Sequence, residues 1–281
     1  MKYGVVHPGA AHADDILCIC LFLGKFGSKT PVYRWKPTEE ELNDPEVCVM
    51  DVGGRHEPEL NNYDHHQLPR DHAPECAATL LVKGLGLKGF EHLRGFEALA
   101  ILDSKGPTAL GNFLGTNTDK ALDSVSVVES GLRIVLKDMM EVAPEFRKVF
   151  SAIGNGIIAN AEKTAPAVER ALKYELVPIG EVYAILNPSS DVTGIWEARP
   201  KIERRLRALQ GEDKDVAICF SYNDRGPGWT LYRFNDHPAV DFSRIENDER
   251  VEFAHSSGFV AKTHERLELG ELVALAEQAV S

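Results

Sequence analysis

Short apolar runs that stop on metal-binding side chains set the frame for this chain. Tyr3-Gly4-Val5-Val6 runs into His7, and Val47-Cys48-Val49-Met50 runs into Asp51. The loop Pro8-Gly9-Ala10-Ala11 then leads to Asp14 and Asp15, which open an apolar helix reaching about Lys25. Strand, loop, helix and strand in that order predict an open α/β sheet. Sheets of this kind place their sites at the carboxyl ends of strands, where His7, His12, Asp14 and Asp51 stand. Gly53-Gly54 directly after Asp51 permits a tight backbone turn.

Asp64, thirteen residues beyond Asp51, stands in the string Tyr63-Asp64-His65-His66-Gln67. A polar turn with an Asx-type bond explains the aspartate, but not two adjacent histidines. Further on, the helical segment from Phe90 to Leu102 ends at Asp103. Taken singly, Asp14 and Asp15 read as helix caps, and Asp103 reads as a cap or turn residue. Together the residues are the donor set of a divalent-metal centre.

The remaining chain reads as scaffold and then as a second texture. Helices are expected from Pro74 to about Leu87, Asp119 to about Glu141 and Pro144 to about Tyr174, on apolar residues at helical spacing. From about Pro178, strand-like runs appear at Glu181 to Leu186, Val216 to Tyr222, Trp229 to Phe234 and Val251 to Ala254. A helix from Arg199 to Leu209 lies between them, another closes the chain from Gly270, and Gly226-Pro227-Gly228 signals a hairpin. The expected architecture is a mostly parallel α/β sheet flanked by helices, residues 1–175, followed by a smaller α+β substrate-binding domain, residues 176–281.

Composition narrows the function classes. Lys and Arg number 31 against 43 Asp and Glu, a net charge of −12, so the chain has no general attraction to nucleic acid. A polyanion is held only at a local basic patch or through metal. Arg199, Lys201, Arg204, Arg205 and Arg207 form one such patch, whose other reading is a solvated helix face. The turn His255-Ser256-Ser257-Gly258 offers backbone N–H groups and hydroxyls to an anion. Five cysteines without zinc-finger spacing read as free thiols of a reducing compartment. The longest apolar run, Ile16 to Leu23, is eight residues, too short to span a bilayer, and no signal peptide is visible. A cytoplasmic protein without membrane partners is expected.

The order His7, His12-x-Asp14, Asp51, Asp64-His65-His66, Asp103 resembles the DHH phosphoesterase superfamily. His12 stands where those proteins usually carry a first aspartate. That departure, with Asp51-Val52-Gly53-Gly54, Tyr63-Asp64-His65-His66-Gln67 and Phe253-Ala254-His255-Ser256-Ser257-Gly258-Phe259, is similar to the exonucleases of the melanocyte-proliferating-gene family. The resemblance implies a hydrolase with two divalent ions, manganese foremost, with magnesium, cobalt or zinc as substitutes. It implies Asp51 as the bridging ligand, His7 and His12 at the first ion, and Asp14, His65 and Asp103 at the second. Asp64 and Asp15 stand behind the ligands, and His66 faces the substrate phosphate. Arg199, Arg204, Arg205, His255, Ser257 and Gly258 would hold the substrate. The implied activity is 3'-5' exonucleolytic cleavage of single-stranded RNA or DNA. The alternatives are a phosphatase of pyrophosphate or a dinucleotide and, as a third reading, a non-catalytic metal-binding module.

Overall fold

A computed structural model describes residues 1–93, 95–118, 127–210 and 215–281. The chain divides into two compact units, Met1–Lys163 and Thr164–Ser281.

The first unit is built on a five-stranded sheet. Its strands are β1 (Tyr3–Val6), β2 (Val32–Arg34), β3 (Val47–Met50), β4 (His56–Glu57) and β5 (Asn62–Tyr63), in the order β2-β1-β3-β5-β4. All pairings are parallel except β4 with β5. The direction in which strands are added reverses between β1 and β3, because helix α1 (Ala13–Phe26) carries the chain from β1 to β2 at one edge while β3 adds at the other. A crevice outside the carboxyl ends of β1 and β3 follows from that reversal, and His7 and Asp51 are the residues that leave those two strands.

Alternation along the strands explains the layers. Val6, Cys48 and Met50 face α1 and helix α3 (Ala77–Gly84), where Cys18 to Leu23 and Ala77 to Val82 complete the core. Val5, Val47 and Val49 face the opposite side, covered by Leu42 of the short helix α2 (Glu39–Leu42). The apolar segment read as one helix from Phe90 breaks in two. A 3-10 turn, Phe90–His92, precedes helix α4 (Phe96–Lys105), whose N-cap Gly95 has φ 84°, a conformation glycine adopts without strain. Asp103 therefore sits in the last turn of α4 rather than beyond it. Helix α5 (Pro107–Leu114) follows directly. Of the helix expected from Asp119, Leu122 and Val125 lie outside the described residues, and helix α6 spans Val127–Leu136.

Helix α7 (Pro144–Ala171) contains the boundary between the units. In the first unit it crosses α1 with backbone against backbone: a Cβ at Gly154 would strike the carbonyl of Cys20, and one at Gly24 would strike Gly154. Gly154→Ala is therefore expected to force the helices apart and cost about 1–3 kcal/mol, read as a lower urea midpoint. An unchanged midpoint would mean that the helices do not need this close approach.

In the second unit, strands β6 (Glu175–Ile179), β7 (Val182–Asn187), β8 (Val216–Tyr222), β9 (Trp229–Arg233), β10 (Val251–Ala254) and β11 (Val260–Thr263) form one sheet in the order β10-β11-β9-β8-β7-β6. Only β7 and β8 pair in parallel, joined through helix α8 (Ile195–Gln210). The Gly226-Pro227-Gly228 signal falls in the turn of the antiparallel β8–β9 pair. Helix α9 (Leu269–Glu277) packs Leu272, Leu275 and Ala276 into the core of this sheet. The expected class, a mostly parallel α/β unit followed by a smaller α+β unit, is the observed one. No helix among the described residues is long and apolar enough to cross a membrane.

Candidate metal centre

Asp51 is the pivot of the site, and its backbone is unusual. It has φ 58°, a left-handed conformation that few residues other than glycine adopt, though Asp and Asn do so more readily. Its N–H donates to the Tyr63 carbonyl at 3.1 Å, which ties the end of β3 to the histidine loop. Asp64 locks that loop from beneath. It accepts from Gly54 N–H (2.6 Å), from His66 N–H (3.0 Å) and from the His66 ring at Nδ1 (2.6 Å). Burial would raise the Asp64 carboxyl, but these donors outweigh it and hold the group below the ordinary carboxylate range. The same contact assigns the His66 proton to Nδ1 and leaves Nε2 free at the exposed end of the site.

His65 lies between two carboxylates. Its Nε2 is 3.2 Å from Asp51 Oδ1 and 3.0 Å from Asp103 Oδ2. Burial works against the charged imidazole, yet the two acids prevail and lift it to about 10. The distances are those of hydrogen bonds, but the ring N–H is aligned with neither oxygen. Asp51 Oδ1 and Asp103 Oδ2 consequently count as buried oxygens without a donor, as does Asp15 Oδ1, and His7 Nδ1 is a buried nitrogen without a partner. Such orphaned ligand atoms, close together, are the arrangement a divalent cation satisfies. Two groups of donors converge, with one ligand atom from each residue lying within 4.8 Å of the others: Asp51, His65 and His66, and Asp14, His65 and Asp103. Burial first, then the charges of Asp103 and Asp51, push Asp14 up to about 7. The donor set, all imidazole and carboxylate, fits one or two divalent ions.

The grouping differs from that expected from the sequence. His65 belongs to both groups, whereas Asp51, expected as the bridge, belongs to one. His66, expected to face substrate, also falls within ligand distance of Asp51. His7 and His12 stack on each other with ring centres 6.1 Å apart, and His12 lines the same cavity, but neither joins a three-residue ligand group. Asp15 accepts from His12 N–H at 2.9 Å and so closes a capping box on α1, as its reading as a cap requires. Asp14 has a second function that the sequence did not disclose. Its two oxygens accept from the N–H groups of Ala77 and Ala78, both at 2.9 Å, so it caps α3 from 63 residues away.

Sequence reasoning also missed three basic side chains. Around the donors is a cavity of about 350 Å³, which Arg70, His72 and Lys105 line together with His12, Asp51, His65, His66 and Asp103. Lys105 follows Asp103 by two residues and Arg70 follows His66 by four, and adjacency was the available signal. Fully buried Arg34 was missed as well. It donates to the carbonyls of Gly9 (3.0 Å) and Leu136, fixing the loop between His7 and His12.

In the second unit, the expected substrate residues divide. Arg204 and Arg205 are exposed on α8. Arg199 is not part of an open basic face: it donates to Glu203 at 2.8 Å and lies 5.7 Å over the Phe234 ring, while Glu203 also accepts from Val216 N–H. The pair fastens α8 to its sheet. In the His255 turn, Ser257 N–H donates to His255 Nδ1 (3.0 Å) and Gly258 N–H to the His255 carbonyl (2.7 Å). Two N–H groups expected to meet an anion are thus used within the turn.

A model of the MYG1_exonuc family, described as an uncharacterised protein family (UPF0160), matches residues 5–83. That segment is similar to the family over less than a third of the chain. It contains every DHH-type string except Asp103, and the resemblance to DHH phosphoesterases on the melanocyte-proliferating-gene branch holds over it. Nothing matches among curated proteins. Among solved structures, the chain is similar to RecJ from Thermus thermophilus in complex with Mn2+, at 14% identity and TM-score 0.31, over 99% of this chain and 52% of that one. It is also similar to the pGpG-specific phosphodiesterase PggH from Vibrio cholerae, at 12% identity and TM-score 0.30, over 99% of this chain and 98% of that one. The chain spans about half the length of that RecJ.

Proposed function

We propose that the chain is a metal-dependent phosphoesterase that removes residues from the 3' end of single-stranded RNA or DNA. The observation that carries the hydrolytic reading is the pair of buried, donorless oxygens, Asp51 Oδ1 and Asp103 Oδ2, turned toward one imidazole at a cavity. Asp51 with His66, and Asp14 with Asp103, would hold two ions on either side of His65, with His7 and His12 beside them. The bound ions supply an activated water at neutral pH and neutralise charge on the phosphate oxygens. A mixed imidazole and carboxylate set without thiolate suits manganese or magnesium better than structural zinc. His66, held at Nδ1 by Asp64, would offer its free Nε2 to the ion it shares with Asp51. No nucleophilic side chain is required, since positioning and charge compensation carry phosphoryl chemistry.

A shorter substrate is the second reading, favoured by a cavity near the lower end of the range for ligand pockets, about 300–1,000 Å³. Purified protein with manganese, offered pyrophosphate, dinucleotides and end-labelled single strands, separates the two. Stepwise loss of 3' nucleotides carries the exonuclease, and hydrolysis of the small substrates alone carries the second reading. No hydrolysis of any of them sinks both.

The exposed α8 arginines give a further test. If a long strand runs along this helix, Arg204→Ala/Arg205→Ala flattens the salt dependence of strand binding by about two in the log–log slope. Dinucleotide hydrolysis stays within about twofold. An unaltered slope makes these arginines a solvated helix face.

A further inference from the structure

The cavity at the metal centre has cations on its wall that the hydrolytic step does not use. Arg70 and Lys105 both line it. Lys105 Nζ donates to the Arg70 carbonyl at 2.7 Å, which ties the end of α4 to the loop after the two histidines. Among the described residues, no carboxylate lies within ion-pair distance of either cation. Glu75, the other acid on this wall, is taken up by Lys83 and Thr79. In a chain of net charge −12, two cations on one cavity wall with no carboxylate partner among the described residues, Lys105 half-buried and Arg70 exposed, are left to meet an anion from outside.

On the reading that this centre cleaves phosphate esters, we propose that Arg70 and Lys105 form a second anion subsite, which takes the phosphate next to the one being cleaved. The preferred substrate class is then a nucleotide ester with an adjacent phosphate, such as a 5'-phosphorylated dinucleotide or the end of a strand. An isolated phosphodiester satisfies the metals and leaves the two cations unmatched. Guanidinium supplies a planar pair of donors and ammonium a point charge, so the two together suit a phosphate's several oxygens.

The test compares a 5'-phosphorylated dinucleotide with its 5'-hydroxyl counterpart. Binding of each is measured by calorimetry on Ca2+-loaded protein, for the parent and for Arg70→Gln/Lys105→Met. The parent is expected to favour the phosphorylated form by about tenfold or more, the scale of one charge-assisted contact, and the variant to lose most of that ratio. Arg70→Gln alone, where the guanidinium makes no hydrogen bond or ion pair among the described residues, serves if the double variant melts early, and is expected to lose part of the ratio. Equal affinities in the parent, or a ratio unchanged in the variants, overturns the subsite. Tighter manganese binding by the variant with an unchanged ratio shows instead that the cations only offset the acids. Manganese-dependent hydrolysis of the 5'-hydroxyl dinucleotide by the parent is scored separately. Its absence counts against the phosphoesterase reading only if the 5'-phosphorylated dinucleotide is not hydrolysed either, while the binding ratio still decides the subsite.

Discussion

Asp51→Asn is expected to leave the protein folded, to abolish its response to manganese and to lower hydrolysis by more than about 10²-fold. That figure is a floor, because losing a mere outer partner of a metal ligand costs about 10–100-fold. The fold should survive for two reasons. Asparagine tolerates the left-handed backbone that residue 51 adopts at φ 58°, whereas alanine would be strained there. Asp51 also repels Asp14 and Asp15 while it attracts the charged His65, so a neutral amide in its place removes opposing interactions and leaves a small balance. Without metal, the Asp51→Asn variant should therefore still unfold cooperatively, and its Asp14 carboxyl should titrate below about 7. In the parent, manganese at 100 times its dissociation constant adds about 2.7 kcal/mol of stability, and in the variant that increment should vanish. A variant that keeps both the manganese-induced rise in melting temperature and the activity would remove Asp51 from the centre.

This chain's sequence discloses the parts whose cause is local and hides those whose cause is distant. The alternation of β1 and β3, the stop of each strand at His7 and Asp51, and the start of α1 at Asp14 and Asp15 all lie within a few residues of their explanation. The split of Phe90 to Leu102 depended on Gly95 taking a positive φ, which a window of apolar spacing does not weigh. β6 was missed because Pro178 interrupts its apolar run, which an edge strand tolerates. Arg199 was read with its basic neighbours, yet Glu203 four residues on and Phe234 on the sheet beneath determine what it does. The same holds for Arg70 and Lys105, which become a pair only when the loop after His66 folds back on the end of α4.

Asp14 is where local and distant causes collide, and its removal is the second large effect expected. Asp14→Ala should abolish hydrolysis and also destabilise the metal-free protein, because it strands the N–H groups of Ala77 and Ala78 at the buried start of α3. An unsatisfied buried donor costs about 1–3 kcal/mol. Relief of the charge repulsion around Asp14 offsets part of this, so a net loss of about 2 kcal/mol is expected. Asp15→Ala removes only the cap on His12 N–H, about 1 kcal/mol, and should keep the manganese response. The two roles of Asp14 separate by melting each variant with and without manganese. If Asp14 is both ligand and cap, Asp14→Ala lowers the metal-free melting temperature and also loses the increment from manganese. If it is a cap alone, the metal-free temperature drops and the increment remains. Should Asp15→Ala lose the increment while Asp14→Ala keeps it, the ligand is Asp15, and its orphaned Oδ1 is the atom that binds.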